Sequence, residues 1–176
     1  MTRHATHPLV GLATQAIAAF LADRQVLEPP AALYEAWPEA LRPAGAFVCL
    51  KHEGRLRGCI GTTEPLHETL AIEVVRNAIG AATRDPRFPP VQMYELASLS
   101  IAVDILGPCE PVSGLEALDP ARYGIVVRAG EKRSVLLPAI EGIRSVSEQV
   151  AAARVKAGLG ADDPVELLRF EVQRFH

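Results

Sequence analysis

Gly45-Ala46-Phe47-Val48-Cys49-Leu50-Lys51-His52-Glu53-Gly54-Arg55-Leu56-Arg57-Gly58-Cys59-Ile60-Gly61 reads as a β-hairpin. Gly54 suits a left-handed turn position, so a three-residue loop, His52-Glu53-Gly54, would join two strands. That register sets Lys51 against Arg55, Cys49 against Arg57 and Phe47 against Cys59. It gathers Ala46, Val48, Leu50, Leu56, Gly58 and Ile60 on one face. Phe47, Cys49, Lys51, Arg55, Arg57 and Cys59 take the other. A two-residue Glu53-Gly54 loop would mix apolar and charged residues on both faces, so patterning favours the longer loop.

Cys59 then shares a face with two arginines. A thiol is nucleophilic as its thiolate, and a nearby cation such as Arg57 favours that form. Gly58 and Gly61 remove side chains where a ligand, or another backbone, approaches closely. The plainer reading of Cys59 is a small structural residue of the core. After Gly61, Thr63 suits a cap and Pro65 an early helical position. Leu66, Leu70, Val74 and Ala78 continue as one stripe to about Thr83. The positive end of that helix would lie just after the cysteine, favouring a thiolate or a bound anion. Glu64 is placed there for proton transfer. His67 is the histidine nearest the hairpin in a predicted helix. His4 and His7 read as part of a frayed terminus.

A second stretch, Arg84-Asp85-Pro86-Arg87-Phe88-Pro89-Pro90, is a proline-stiffened platform for charged side chains. Arg84, Asp85 and Arg87 would orient an anionic or polar substrate, or else only pin the neighbouring helix. The helix before it leads away from Cys59, so this stretch must return for the two to share a site.

Elsewhere the periodicities are plain. A helix fits Leu9 to about Arg24, and a short one fits residues 31–37. Ser98 to Leu106 alternates as a strand. Tyr123–Val127 and Arg133–Leu137 form a second hairpin, a helix capped by Ser145 or Ser147 runs to Lys156, and Leu167–Phe175 reads as a last strand. Each hairpin is followed by a turn and a helix, which suggests a hairpin-plus-helix unit used twice, with a cleft between the copies as the natural site. The fold class expected is α+β: mainly antiparallel sheet built from hairpins with packed helices. Residues 1–176 would form a single domain of two unequal subdomains.

Composition excludes several functions. The chain has 176 residues, is 49% hydrophobic and carries a formal charge of −3, so no basic bias points to nucleic acid. No apolar run is long enough to span a membrane and no secretory leader is evident, which implies a cytoplasmic protein. Cys49, Cys59 and Cys109 have no metal-ligand spacing and form no even disulfide set, as suits a reducing compartment. No phosphate loop, dinucleotide fingerprint or His-Glu-x-x-His occurs, which leaves the cofactor open.

Leu56-Arg57-Gly58-Cys59-Ile60-Gly61 resembles the signature of the AMMECR domain family. Arg84–Pro90 followed by Glu95-Leu96 resembles its second signature. Ser100–Leu106, Tyr123–Val127, Leu136-Leu137-Pro138 and Leu168–Val172 follow in the family's order, and the likeness covers roughly residues 40–175. The tract Pro138–Ser145 is shorter than in the family, where it often holds a tryptophan. The resemblance implies a free-standing bacterial-type member, similar to the first component of the three-part AmmeMemoRadiSam system. Its partners there would be a Memo-like protein and a radical SAM protein.

Two functions follow. One is an enzyme using Cys59 as nucleophile, with Arg57 and Glu64 assisting and Gly58, Gly61, Arg84, Asp85 and Arg87 holding the substrate. The other is a non-catalytic adaptor whose glycine-rich cleft binds a ligand or protein. Converging polar and reactive groups favour the first.

Overall fold

The computed structural model describes residues 7–176, so the reading of His4 lies outside the described residues. Four helices are α1 (Pro8–Asp23), α2 (Ala31–Ala36), α3 (Leu70–Thr83) and α4 (Val146–Ala157). Eight strands are β1 (Ala46–His52), β2 (Arg55–Gly61), β3 (Leu99–Leu106), β4 (Glu110–Pro111), β5 (Gly124–Ala129), β6 (Lys132–Leu136), β7 (Glu166–Phe170) and β8 (Val172–Phe175). They form two four-stranded sheets, ordered β2-β1-β3-β8 and β4-β7-β5-β6. The fold is α+β, as expected.

The chain divides into two compact units. One holds the residues up to Ile105 together with Gln173–His176; the other is Leu106–Val172. In the first, Pro8 opens α1 and His7 caps it, its Nδ1 accepting from the Leu9 amide at 3.3 Å. His7 is not frayed: its ring stacks on Phe175 at 3.7 Å. Leu9, Ala13, Ala16 and Ile17 of α1 and Val74, Ala78 and Ala81 of α3 join Val48, Leu50, Ile101 and Val103 in one core. Each of the valine, leucine and isoleucine side chains removed from water contributes about 1.5–3 kcal/mol. In the second unit Val150 and Ala153 of α4 pack with Ile125 and Val127 of β5.

Each sheet uses the same succession. A hairpin (β1–β2 or β5–β6) leads to a helix (α3 or α4), and then to a strand antiparallel to the hairpin's first strand (β3 or β7). The expected last strand is two strands. The chain passes from one sheet to the other at Glu171, between β7 and β8.

The first hairpin departs from its expected register. His52 faces Arg55, so the loop is the two-residue Glu53-Gly54, with both φ positive at 49° and 77°. Such turns match the twist of the flanking strands. A bulge then inserts Arg57, because Lys51 faces Leu56 whereas Leu50 faces Gly58. The extra residue restores the phase that the shorter loop would have spoiled. The net shift is two residues. Gly58 and Ile60 therefore keep the core face and Cys59 keeps the outer one, but every cross-strand neighbour changes. Phe47 faces Gly61, and Cys49 faces Cys59. Leu56, expected in the core, falls on the outer face with Arg57 and is 40% exposed.

Gly58 meets α3. A methyl group there would overlap the Ala81 carbonyl oxygen. Gly58→Ala should therefore cost about 1–3 kcal/mol in urea unfolding by forcing helix and strand apart. Glu53→Asn should act in the opposite direction, adding up to about 1 kcal/mol, because Asn accepts a left-handed turn position more readily than Glu.

Candidate functional site

β2 lies at the edge of its sheet. Cys49 and Cys59 stand at a close pair position, 4.1 Å between Cα atoms. At such a non-hydrogen-bonded pair the residue's own N–H and C=O point away from the partner strand. For Cys59 that is outward, toward residues 85–87. The Cys59 amide donates to Asp85 Oδ2 at 2.9 Å, and Arg87 Nη2 donates to the Cys59 carbonyl at 3.4 Å. Arg87 also grips Asp85, through Nε to Oδ1 at 2.9 Å and Nη2 to Oδ2 at 2.7 Å, and the Arg87 amide adds a bond to Oδ1 at 3.1 Å. The Asp85 side chain is 2% exposed. The Arg87 guanidinium, with the Cys59 and Arg87 amides, outweighs burial and holds the carboxyl far below the usual carboxylate range.

Arg57 is fastened as firmly. Its Nε and Nη2 donate to the two Glu95 oxygens at 2.9 and 3.0 Å, and its Nη1 donates to the Pro89 carbonyl at 2.9 Å. Glu95 Oε2 also accepts from the Gln92 amide at 2.7 Å. The Arg57 guanidinium first, then that amide, lower the Glu95 pKa. The second signature is thus joined to β2 by the Cys59 amide and carbonyl, which meet the Asp85–Arg87 pair, and by the forked Arg57–Glu95 ion pair. Arg84 goes elsewhere, toward the Arg76 carbonyl at 3.5 Å. Glu64 lies exposed on the turn after β2.

That turn corrects the expected helix. α3 begins at Leu70, capped by Thr69, whose Oγ1 accepts from the Ile72 amide at 3.2 Å. Residues 62–68 form an intervening loop, held by Glu73. Glu73 Oε1 accepts from Thr62 Oγ1 at 2.6 Å, and Oε2 accepts from the Leu66 and His67 amides at 2.9 and 3.0 Å. The helix end that meets the signature is the C-terminal one, through Ala81 at Gly58. The partial charge there is negative and does not favour a thiolate.

The two glycines admit protein. Gly58 receives the Ala81 carbonyl, and the Phe47 ring covers Gly61. The cysteine reading also changes: Cys49 and Cys59 are joined in a disulfide, so the cysteines do contain a bonded pair. The two-residue register shift brought them opposite each other. In this form Cys59 offers no thiolate for Arg57 to stabilise. Among the described residues no cluster of His, Cys, Asp or Glu is arranged to hold a metal ion, and no helix is long and apolar enough to cross a membrane. Two surface hollows, about 740 and 280 Å³, are lined by residues of the second unit.

The sequence reading brought Asp85 and Arg87 toward Cys59 but passed over Glu95 and Glu73. Glu95 has a local signal, standing three residues after Gln92 where a side chain reaches back to an N-terminal amide. Glu73 has none; an acidic residue in a helix's first turn reads as exposed.

Asp85→Asn should lower stability by about 2 kcal/mol at neutral pH, because it removes a charged acceptor from Cys59 and Arg87. The pH dependence has a definite sign. The unfolded carboxyl takes its proton near pH 4, above the folded one, so this stabilisation is complete above that value and is lost on acidification. Urea unfolding at neutral and acid pH should show the gap between wild type and Asp85→Asn narrowing as pH falls.

The chain's relatives agree with this architecture. The AMMECR1 family model matches residues 10–175. A Thermotoga maritima protein is 49% identical over 173 residues, 96% of this chain and 97% of its own length. A Clostridium acetobutylicum protein is 39% identical over 169 residues, 95% of this chain, but the chain spans only 35% of that longer protein. The crystal structure of uncharacterized protein PH0010 from Pyrococcus horikoshii superposes with a TM-score of 0.87 at 31% identity, covering 94% of this chain and 88% of that one. On a match that runs almost from end to end, the chain belongs to the AMMECR1 family.

Proposed function

We propose that this protein is a recognition module that docks a Memo-like protein and requires no nucleophilic Cys59. One observation supports this above the others: Arg57, Asp85 and Arg87, the charged groups nearest Cys59, are engaged by neighbouring protein groups. Asp85 is filled by Arg87 and the Cys59 amide, and Arg57 by Glu95 and the Pro89 carbonyl. Groups held in this way give rigidity to a surface and are poorly placed to follow a reacting substrate.

The surface they stiffen carries apolar groups. Tyr94 is 83% exposed and Met93 46%, both beside Glu95 in the chain, and Leu56 precedes Arg57. Aromatic side chains on a rigid support are the usual anchors of protein interfaces. The Clostridium acetobutylicum relative supports a modular role, since most of that protein is additional polypeptide attached to the matching segment.

The test is calorimetric titration with a purified Memo-like protein. Binding should be saturable, and Tyr94→Glu should weaken it tenfold or more, about 1.4 kcal/mol. Cys59→Ser should bind as wild type does. No binding by the wild type, or loss of binding in Cys59→Ser with Tyr94→Glu unaffected, would overturn the reading.

A further inference from the structure

We infer that Cys49 and Cys59 form a reversible dithiol–disulfide couple, a site of thiol–disulfide exchange with a low-molecular-weight thiol and its disulfide. The inference stands apart from the docking reading, because the couple needs nothing of the Tyr94 surface.

Position is the first argument. The two residues face each other directly across β1 and β2, on the outer face of the sheet, and each is half-buried. Both side chains are thus reachable by a small thiol, and neither belongs to the core that Val48, Leu50 and Ile60 share.

Bracing is the second. In the folded protein the two-residue turn and the β1–β2 ladder already hold the two strands side by side, so within that state the bond adds little further constraint. The strands do not depend on it. β1 pairs with β3 on its other side, and the outward amide and carbonyl of Cys59 are held by Asp85 and Arg87 without use of the sulfur. The same frame receives either state, so the bond can open and close locally.

The chemistry balances as two exchanges. One cysteine thiolate attacks a disulfide RSSR, forming a mixed disulfide and expelling RS⁻. The second cysteine, as its thiolate, attacks the protein sulfur of that mixed disulfide and expels the second RS⁻. The protein loses two electrons and two protons. RSSR gains the electrons, and the two thiolates take up the protons to become two RSH. Reduction is the reverse. Cys109, in the loop between β3 and β4, lies outside the hairpin and serves as an internal control.

The folded protein is equilibrated in graded ratios of reduced and oxidised glutathione, quenched with acid, and analysed by intact mass and peptide mapping. In a Cys109→Ser background the expected result is one two-electron transition, with loss of two hydrogens and a peptide linking residues 49 and 59. Circular dichroism should be unchanged across it. Cys49→Ser and Cys59→Ser should each stop at a glutathione adduct. Three results would overturn the inference: a chain that stays dithiol at every ratio, a disulfide that is reduced only after denaturant unfolds the protein, or wild-type oxidation that links Cys109. Mapping of the wild type decides the matter even where a serine variant fails to fold.

Discussion

Cys59 turns its amide and carbonyl away from its partner strand, and a sheet edge that presents such groups must find partners for them or invite another strand. Here a short, proline-stiffened loop supplies the partners from side chains. Asp85 accepts from the amide, Arg87 donates to the carbonyl, and the two hold each other. One residue of β2 is thereby treated as though another strand lay alongside. The end of α3, the loop after it and the short 3-10 turn that carries Glu95 are all placed by this attachment, which Arg57 extends by reaching Glu95 and the Pro89 carbonyl.

The attachment works because the backbones come very close. Gly58 lets the last turn of α3 sit directly on β2, and Gly61 lies under the Phe47 ring. Once α3 packs this way, its C-terminus leads straight into Arg84-Asp85-Pro86, and the buried carboxylate is delivered to the strand edge within two residues. The same packing sets the local electrostatics. The hairpin meets the negative end of the helix, and Arg57 and Arg87 are matched by Glu95 and Asp85. The distinctive neighbour of Cys59 in that setting is Cys49.

Beyond the signatures, the first unit is locked by pairs between residues far apart in the chain. Asp104 is buried in β3 and receives two bonds of 2.7 Å from Arg174 of β8. That pair ties the last strand to the first sheet. No local feature of β3 announces an arginine seventy positions later.

Local chemistry alone located most elements. Pro8 and the apolar stripe that includes Ile17 mark α1; a serine cap, at Ser145 or Ser147, opens α4; alternation defines β3. It also assigned the faces of β2 from Gly58 on, since a two-residue alternation is unchanged by an even shift of register. For that same reason it could not choose among even shifts. The type of turn and the bulge at Arg57 made the choice, and so decided that Cys59 faces Cys49 and that Leu56 is exposed. Three further outcomes came only with tertiary structure: the break between β7 and β8 at Glu171, the late start of α3 and the partners of Arg57. Arg57 finds its partners 32 and 38 residues further along the chain, and the loop before α3 folds back onto Glu73. Periodicity within a segment reports which side is apolar, not what will be packed against it.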